Sequence, residues 1–252
     1  MGQNTAIEWT TSSWNPWRGC LKVSPGCKYC YMYRDQERYG HDPRAVVRAA
    51  PATFQSPLKW KEPGKVFTCS WSDWFIDEAD AWRAEAWEII RRTPHLAYQI
   101  LTKRAENIQY RLPEDWGMGW PNVWLGVSVE TQKYLYRAES LADIPASIRF
   151  ISYEPALGPV DFSSVLHDFQ WLISGGESGY NPRPSNPDWF LSVRDQCRRA
   201  GVSYFHKQNG GREKIDGSYG GNLLDGMRYQ EFPIIDTKPI SSQGFIQASM
   251  FR

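Results

Sequence analysis

The sequence predicts an α/β protein whose parallel strands form a full or partial (β/α) barrel of the TIM type. Short β-branched runs alternate with helical stretches, and the predicted strands start 21 to 33 residues apart, which suits repeated β-α units. Nearly every predicted strand is also followed at once by polar residues. At 252 residues the chain fits one domain of barrel size better than two domains.

Three helices are predicted from their apolar faces and their end signals. The first covers 29–39 and ends at Gly40. The second covers 77–92, where acidic residues crowd the start and two arginines close the end, as the helix dipole favours. The third begins at Pro187 and ends with Gly201 as its C-cap. These helices supply the outer layer of the predicted barrel.

The strands of the predicted sheet are short and separated by these helices or by loops. They are expected at 66–71, 97–101, 123–127, 148–152, 169–174 and 202–206. The barrel is therefore expected to occupy residues 1–209. Glycines recur beyond that point without another β-α unit, so 210–252 is expected to be an irregular C-terminal extension packed on the barrel.

The polar strand ends define a candidate site, because the carboxyl ends of the strands of a (β/α) barrel meet at the face that carries the active site. The predicted rim consists of Asp73, Lys103, Arg104, Glu130, Glu154, Glu177, Lys207 and Gln208. From this rim we predict Lys103, Glu130, Glu154 and Lys207 as catalytic residues. Arg83 and Glu88, on a helix surface, should lie far from it.

Cofactor contacts are expected at the same strand ends, namely at Ser70, Asp73, Ser128, Gly175, Gly176 and Glu177. In the tripeptide Gly175-Gly176-Glu177 the glycines would let backbone amides approach a ligand closely, and the carboxylate can accept a hydrogen bond from an amine. A short motif of this kind is equally compatible with a plain turn. Its position at a strand end favours a binding role.

Three cysteines, Cys20, Cys27 and Cys30, lie on one short loop within 14–31. Three thiolates can hold three irons of a [4Fe–4S] cluster and leave the fourth iron without a protein ligand. Structural zinc is the main alternative, since a Cys-x2-Cys pair is a common half-site, although no second pair of Cys or His follows at similar spacing. Free thiols are a third reading. Disulfides are disfavoured by the odd number of cysteines and the absence of an apolar signal segment.

The cysteine loop and the strand-end motifs resemble those of known proteins. Cys27-Lys28-Tyr29-Cys30 resembles the end of the cluster loop of radical S-adenosylmethionine (SAM) enzymes, whereas the first gap, with six residues, is wider than theirs. The whole chain resembles a phage and bacterial family of unknown function with a three-cysteine motif. The motifs that carry this resemblance are Trp14-Asn15-Pro16-Trp17, the cysteine loop, Leu101-Thr102-Lys103-Arg104, Ser152-Tyr153-Glu154-Pro155 and Gly175-Gly176-Glu177-Ser178-Gly179.

This resemblance implies a radical SAM-like barrel with a [4Fe–4S] cluster and SAM as cofactors. Such an enzyme would cleave SAM reductively to a 5′-deoxyadenosyl radical, take its electron from a donor such as flavodoxin or ferredoxin, and act on a nucleic-acid or nucleotide substrate. The amino group of SAM would contact Glu177 or, alternatively, Ser70 and Asp73.

Two other functions remain open from the sequence. The chain could be a nucleic-acid-binding or repair-accessory protein with a structural iron–sulfur or zinc site, which would use arginines and tryptophans for phosphate contact and stacking. It could also be a metal-independent barrel hydrolase that uses Glu130, Glu154 or Glu177 as acid and base.

Composition limits the kinds of binding partner and the cellular location that can be expected. The net charge of +1 argues against a general nucleic-acid coat protein, so any phosphate contact must come from a local patch, for which Lys103, Arg104, Arg183 and Lys207 are candidates. The alternative is that Lys103 and Lys207 only neutralise Glu130, Glu154 and Glu177 in a buried network. Trp14, Trp17, Trp71 and Trp74 are candidates for stacking faces, although packing in the core and lid accounts for most of the tryptophans. No run approaches the roughly 20 apolar residues of a membrane span, and a cytoplasmic location is expected.

Overall fold

A computed structural model describes residues 5–234, and a seven-stranded parallel sheet forms its centre. The strands are β1 (Ser12–Trp14), β2 (Trp17–Arg18), β3 (Val47–Arg48), β4 (Gly64–Thr68), β5 (Leu96–Thr102), β6 (Val123–Ser128), β7 (Ile148–Tyr153), β8 (Trp171–Gly175), β9 (Ser203–Gln208), β10 (Lys214–Ile215), β11 (Ser218–Tyr219), β12 (Leu223–Leu224) and β13 (Met227–Arg228). The central sheet has the order β1-β4-β5-β6-β7-β8-β9. Within the described residues β1 and β9 are not paired with each other, so the curled sheet is a partial barrel, as predicted.

Within the described part of the chain, five α-helices connect or follow these strands. They are α1 (Tyr31–Arg38), α2 (Pro51–Phe54), α3 (Asp80–Arg91), α4 (Tyr136–Ala142) and α5 (Pro187–Ala200). Short 3-10 helices occupy Pro25–Cys27, Ser56–Lys59, Asp77–Ala79, Ala105–Tyr110, Gln132–Tyr134 and Leu166–Asp168. The three predicted helices are confirmed as α1, α3 and α5, and Gly201 ends α5 in the left-handed conformation with φ 70°.

The six predicted strands are confirmed as β4 to β9, with one boundary corrected. The strand expected at 66–71 ends at Thr68, because Cys69 has a φ of 62° and turns the chain out of the sheet. Sequence analysis did not predict β1, which has only three residues, or α4, which has seven and carries little apolar periodicity. Strand β1 matters for the site because it begins the sheet just before the cysteine loop. Helix α4 matters because it carries Arg137.

The sheet separates two apolar layers. The larger layer lies between the sheet and the helices, and it includes Phe190 and Val193 of α5. The smaller layer lies inside the curl, where aromatic rings such as Phe150 and Trp171 project from alternating positions. Gly126 makes room for this inner layer, since a Cβ there would lie 2.3 Å from Cζ of Phe150. The inner rings fill the lower part of the barrel and leave its upper end open.

The described part of the C-terminal extension packs on the barrel. It contains two short hairpins, β10–β11 and β12–β13, in otherwise irregular chain. Leu224 is buried in the outer layer, and Nε1 of Trp171 donates a hydrogen bond of 2.8 Å to the carbonyl oxygen of Glu231. The rest of the predicted extension, 235–252, lies outside the described residues, as does 1–4. Within 5–234 none of the helices has the length and apolar character needed to cross a membrane.

The buried His206 on β9 predicts how stability depends on pH. Its Nδ1 lies 2.9 Å from Oγ of Ser174 and its Nε2 lies 3.1 Å from Oδ1 of Asn209. Burial lowers the pKa of His206 from 6.5 to about 4. Between these values the unfolded chain binds more protons than the folded one, so stability must fall as the pH drops from about 6.5 to about 4.

His206→Gln should therefore remove about 3 kcal/mol of the pH dependence of the unfolding free energy across this window, as the size of the pKa shift requires. Urea unfolding at several pH values measures this change. His167→Gln is the matched control, because the side chain of His167 is 71% exposed. A wild-type slope in the His206→Gln protein would contradict the prediction.

Candidate functional site

The open end of the barrel contains a cavity of about 540 Å³ at the carboxyl ends of the strands. The predicted site residues that line it are Cys20, Cys27, Cys30, Ser70, Asp73, Lys103, Ser128, Glu154, Gly176, Glu177 and Lys207. Glu130 and Gly175 are not among the lining residues. Arg83 and Glu88 do not line this cavity, as expected, and they lie at a separate depression beside α3. The prediction that Arg83 is a surface residue was wrong, because its buried guanidinium donates to the carbonyl oxygens of Trp74 and Ile76. The polar strand ends therefore do converge on one space.

The cysteine loop forms one wall of this cavity. All five cysteines are free thiols, and Cys20, Cys27 and Cys30 are half-buried while Cys69 and Cys197 are buried. Within residues 5–234 no three His, Cys, Asp or Glu side chains are grouped closely enough to hold a single metal ion. The three loop thiols thus share a cavity wall without forming a mononuclear metal site.

The loop begins at a position that only glycine can occupy. Gly19 has a φ of 89°, and a Cβ there would lie 2.1 Å from the carbonyl oxygen of Ala45. The loop closes through the 3-10 helix Pro25–Cys27 and continues into α1 directly after Cys30. Backbone geometry therefore fixes both ends of the loop at the cavity.

Each of the three thiols has a polar neighbour. Nη1 of Arg104 lies 3.7 Å from Sγ of Cys20, and Oγ of Ser24 lies 3.7 Å from Sγ of Cys27. Burial and the carboxylate of Asp73 raise the pKa of Cys20 to about 12, while Arg104 opposes the shift. Burial also raises the pKa of Cys30, and the backbone amide of Met32 opposes this change.

Asp73 organises the strand ends next to Cys20. Its carboxylate accepts hydrogen bonds from Oγ1 of Thr102 at 2.6 Å and from the backbone amide of Lys103 at 3.0 Å. It also accepts from the backbone amide of Phe75 at 3.0 Å and from Nη1 of Arg104 at 3.2 Å. Four protein donors already use this carboxylate, so its main role here is to hold the turn after β5 and the guanidinium beside Cys20.

Glu130 lies behind the cavity and holds the other part of the cysteine loop. Its side chain is fully buried, with Oε2 2.9 Å from Nη1 of Arg137 and Oε1 3.5 Å from Nζ of Lys103. Oγ of Ser24 donates to Oε1 at 2.6 Å, and Gly26 packs directly against the same carboxylate. Its contacts are those of a residue that positions the loop, whereas sequence analysis predicted a catalytic role.

Glu154 and Lys207 form an ion pair that lines the cavity, with Oε1 2.6 Å from Nζ. Both side chains are partly exposed to the cavity, at 21% and 28%. Gly175 lies beneath this pair, since a Cβ there would come within 3.2 Å of Cδ of Glu154. Among the predicted catalytic residues, Glu154 and Lys207 are thus the pair that faces open space.

Glu177 is held by Arg183, which donates to both carboxylate oxygens through its guanidinium and to Oε2 through its backbone amide. Gly176 is required by packing, because a Cβ there would lie 2.1 Å from the carbonyl oxygen of Asn209. All three carboxylates considered for a hydrolase are paired, and Glu154 is the most exposed of them, at 21% against 6% for Glu177 and 0% for Glu130.

The expected stacking faces need a correction. Trp14, Trp17 and Trp74 are at most 1% exposed and belong to the outer apolar layer, so they cannot stack on a ligand. Trp74 packs against both of the other rings, with centroid distances of 5.9 Å to Trp14 and 5.0 Å to Trp17. Trp71 does line the cavity, 6.3 Å from the ring of Tyr39.

Sequence analysis missed two groups of residues at the site. Tyr31 and Tyr33, in the first turn of α1, line the cavity, and their hydroxyls donate to the carbonyl oxygens of Ser70 and Cys20. Their position directly after Cys30 is a sequence signal that could have identified them. Arg137 could not have been found in this way, because nothing near it in the sequence indicates that it pairs with Glu130.

The fold and the site together define a class: a partial (β/α) barrel with a three-cysteine loop at the catalytic face typical of such barrels. The chain belongs to the family described as protein of unknown function (DUF5131), whose model matches residues 4–233. Neither the search of curated proteins nor the search of solved structures gave a match.

The contact between Gly26 and Glu130 gives a test of how the loop is held. A Cβ on residue 26 would lie 2.3 Å from Oε1 of Glu130, a carboxylate that Ser24, Lys103 and Arg137 already fix. Gly26→Ala should therefore lower the free energy of unfolding by about 1–3 kcal/mol, the usual cost of overpacking.

Gly158→Ala is the matched control, since its Cβ would meet Cγ2 of Thr131 at an ordinary 3.7 Å. Denaturant unfolding of the two variants measures the difference. Equal stability of Gly26→Ala and Gly158→Ala would show that the loop does not rest on Glu130.

Proposed function

We propose that this protein is an iron–sulfur enzyme of the radical SAM type, whose loop thiols hold a [4Fe–4S] cluster and whose cavity binds SAM and a substrate. The observation that carries this proposal is the position of Cys20, Cys27 and Cys30 on one loop at the wall of a cavity at the carboxyl ends of a parallel sheet. Cys69 lines the same cavity, but it lies outside the loop and is buried. A cluster with three cysteine ligands keeps one iron open to a small molecule, which suits an active-site cavity.

The donor set fits a cluster better than it fits zinc. Cys20, Cys27 and Cys30 line one cavity, yet they are not grouped around a common point as the ligands of a single zinc ion must be within the described residues. A structural zinc site would also need a second pair of Cys or His, and none follows Cys27 and Cys30 at similar spacing. Hydrogen-bond donors beside the sulfurs, such as Arg104 at Cys20, are of the kind that tune iron–sulfur sites.

Burial raises the pKa of Cys20 and Cys30, and nearby cations and amides offset part of this effect. Cysteine must lose its proton to ligate iron, and burial alone disfavours the thiolate. Lys103 and the amide of Met32 lower the pKa of Cys30, against the effect of burial. Arg104 likewise lowers the pKa of Cys20, against the effect of burial. The cationic side chains at the end of β5 would thus offset part of the negative charge of three thiolates.

When bound, a cluster of this kind supplies one electron for the reductive cleavage of SAM. The residues of the chain would bind and orient the reactants. The Glu154–Lys207 pair presents one acceptor and one donor to the cavity, which matches the ammonium and carboxylate of the methionine part of SAM. Ser70 and Ser128 add hydroxyl groups on the lining for ribose or substrate. A one-electron donor such as flavodoxin or ferredoxin would be required.

The residues that line the cavity suit a substrate with a nucleobase and a phosphate group. The lining contains Lys22, Arg34, Lys103, Arg104 and Lys207, together with the rings of Tyr29 and Trp71. Cations bind phosphate, and aromatic faces stack on bases. A nucleic-acid or nucleotide substrate is therefore proposed for the same cavity.

Metal content of cysteine variants tests the cofactor. Cys20→Ala, Cys27→Ala and Cys30→Ala should each lose most of the iron and sulfide of anaerobically reconstituted protein, which should hold about four irons per chain. Cys69→Ala and Cys197→Ala should keep their iron, because both side chains are buried in the outer apolar layer. Cys197 lies away from the cavity and is the remote control, whereas Cys69 lines the cavity and tests whether the loop alone supplies the ligands. Iron, sulfide and zinc analysis measures the outcome.

Equal iron loss in all five variants would remove the assignment of the ligands. Full zinc and no iron in protein prepared without oxygen would contradict the cluster itself.

A further inference from the structure

We propose that single-stranded nucleic acid binds along a basic and aromatic strip at the mouth of the cavity and presents one nucleotide to it. The strip consists of Lys28, Tyr29, Arg34, Tyr180, Arg183 and Arg212. This inference deepens the proposed function and rests on it for the chemistry inside the cavity, whereas binding to the strip itself requires no cluster.

The strip is continuous although its residues come from three parts of the chain. The guanidinium of Arg183 lies 5.4 Å from the ring centroid of Tyr29 and so joins the loop after β8 to the cysteine loop. Nη1 of Arg34, on α1, would be 3.3 Å from a Cβ on Gly179. The amide of Gly179 in turn donates to the carbonyl oxygen of Gly211 at 3.3 Å, next to Arg212.

The strip offers exposed rings at its two ends. Tyr29 is 40% exposed and Tyr180 is 72% exposed, so both rings are open to a ligand. Nζ of Lys28 lies 5.0 Å from the centroid of the first ring, and Cζ of Arg212 lies 5.0 Å from that of the second. Alternating rings and cations are the means by which proteins hold single strands, through base stacking and backbone contact.

Pairs of a cation and an aromatic ring continue from the strip into the cavity. Tyr33 and Tyr219 both line the cavity, with Nζ of Lys22 4.3 Å from the first ring centroid. Nζ of Lys214 lies 5.2 Å from the second. A strand bound to the strip would therefore meet further stacking and phosphate contacts on its way to the cysteine loop.

The charge of the strip is positive although the chain as a whole carries only +1. Its cations are Lys28, Arg34, Arg183 and Arg212, and the nearby carboxylates are Asp35, Glu177 and Glu213. Arg183 is paired with Glu177 and Arg34 with Asp35 at 3.4 Å, so these two pairs carry no net charge. The other cations are Lys28 and Arg212, with Lys22 and Lys214 beside them. They outnumber the carboxylates of Glu213, Asp216 and Glu8, so the mouth suits a phosphate backbone.

Single strands are favoured over duplex because the reacting groups are recessed. The cysteine loop and the Glu154–Lys207 pair both line the cavity below the mouth. A base inside a duplex stack cannot enter such a pocket unless it is unpaired and flipped out, at a cost in stacking energy. A base in a single strand can enter without that cost.

Fluorescence anisotropy with labelled single-stranded DNA and RNA, the matching duplexes and free AMP tests the inference at two salt concentrations. Single strands should bind more tightly than duplex or AMP, and the DNA and RNA arms identify the preferred sugar. Tyr180→Ala should weaken binding about tenfold, the usual loss of one stacked base. Arg212→Gln should reduce the slope of log affinity against log salt by about 0.7, the value for one phosphate contact of a single strand.

Two matched controls separate the strip from general surface effects. Tyr110→Ala removes a ring that is 76% exposed, and Arg198→Gln removes a side chain that is 76% exposed on α5. Neither residue lines the cavity, so both variants should bind single strands as the wild type does. All variants change exposed side chains, and circular dichroism confirms that they are folded.

Duplex binding as tight as single-strand binding, no binding of single strands at low salt, or equal losses in Tyr180→Ala and Tyr110→Ala would each overturn the inference. Cys27→Ala distinguishes it from the proposed function, because this variant should lose iron and keep its single-strand affinity. If the wild type binds single strands but takes up no iron, the proposed binding strip stands and the proposed iron–sulfur enzyme is contradicted. If it takes up iron but binds no single strands, the proposed enzyme stands and the binding strip is contradicted.

Discussion

The site depends on the buried carboxylate of Glu130. A charge that is removed from water is tolerated only when it is paired and hydrogen-bonded, and here the partners come from three separate elements. Arg137 belongs to α4, Lys103 follows β5, and Ser24 belongs to the cysteine loop. Because these partners must all reach one carboxylate, the loop, the strand ends and the helix layer take up fixed positions relative to one another.

A second carboxylate, that of Asp73, does the same for the start of the loop. It holds Arg104, whose guanidinium contacts Sγ of Cys20 and donates to the carbonyl oxygen of Leu21 at 2.9 Å. The two acidic residues thus fix the two halves of the cysteine loop from opposite sides. Their placement leaves Glu154 and Lys207 as the ion pair that faces the cavity, and so divides the rim into residues that hold the loop and residues that can meet a ligand.

The fold and the location of the site could be predicted because they follow from local patterns. Strand spacing indicated a parallel sheet, and the polar residues after each strand indicated which end carries the site. The roles of individual rim residues could not be predicted in this way. In the sequence, Glu130 and Lys207 both appear as charged residues at the end of a strand. Glu130 is buried and positions the loop because Arg137 and Ser24, from other parts of the chain, contact its carboxylate. Trp14 and Trp71 likewise differ in burial for reasons of tertiary packing alone.

The central claim is that Cys20, Cys27 and Cys30 ligate three irons of a cluster and leave the fourth without a protein ligand. The most direct test is the Mössbauer spectrum of anaerobically reconstituted protein labelled with ⁵⁷Fe, recorded with and without SAM. The account predicts that one iron of the cluster changes its isomer shift when SAM is added, while the other three do not. A cluster whose irons are all unaffected by SAM, or protein that takes up no cluster, would contradict it.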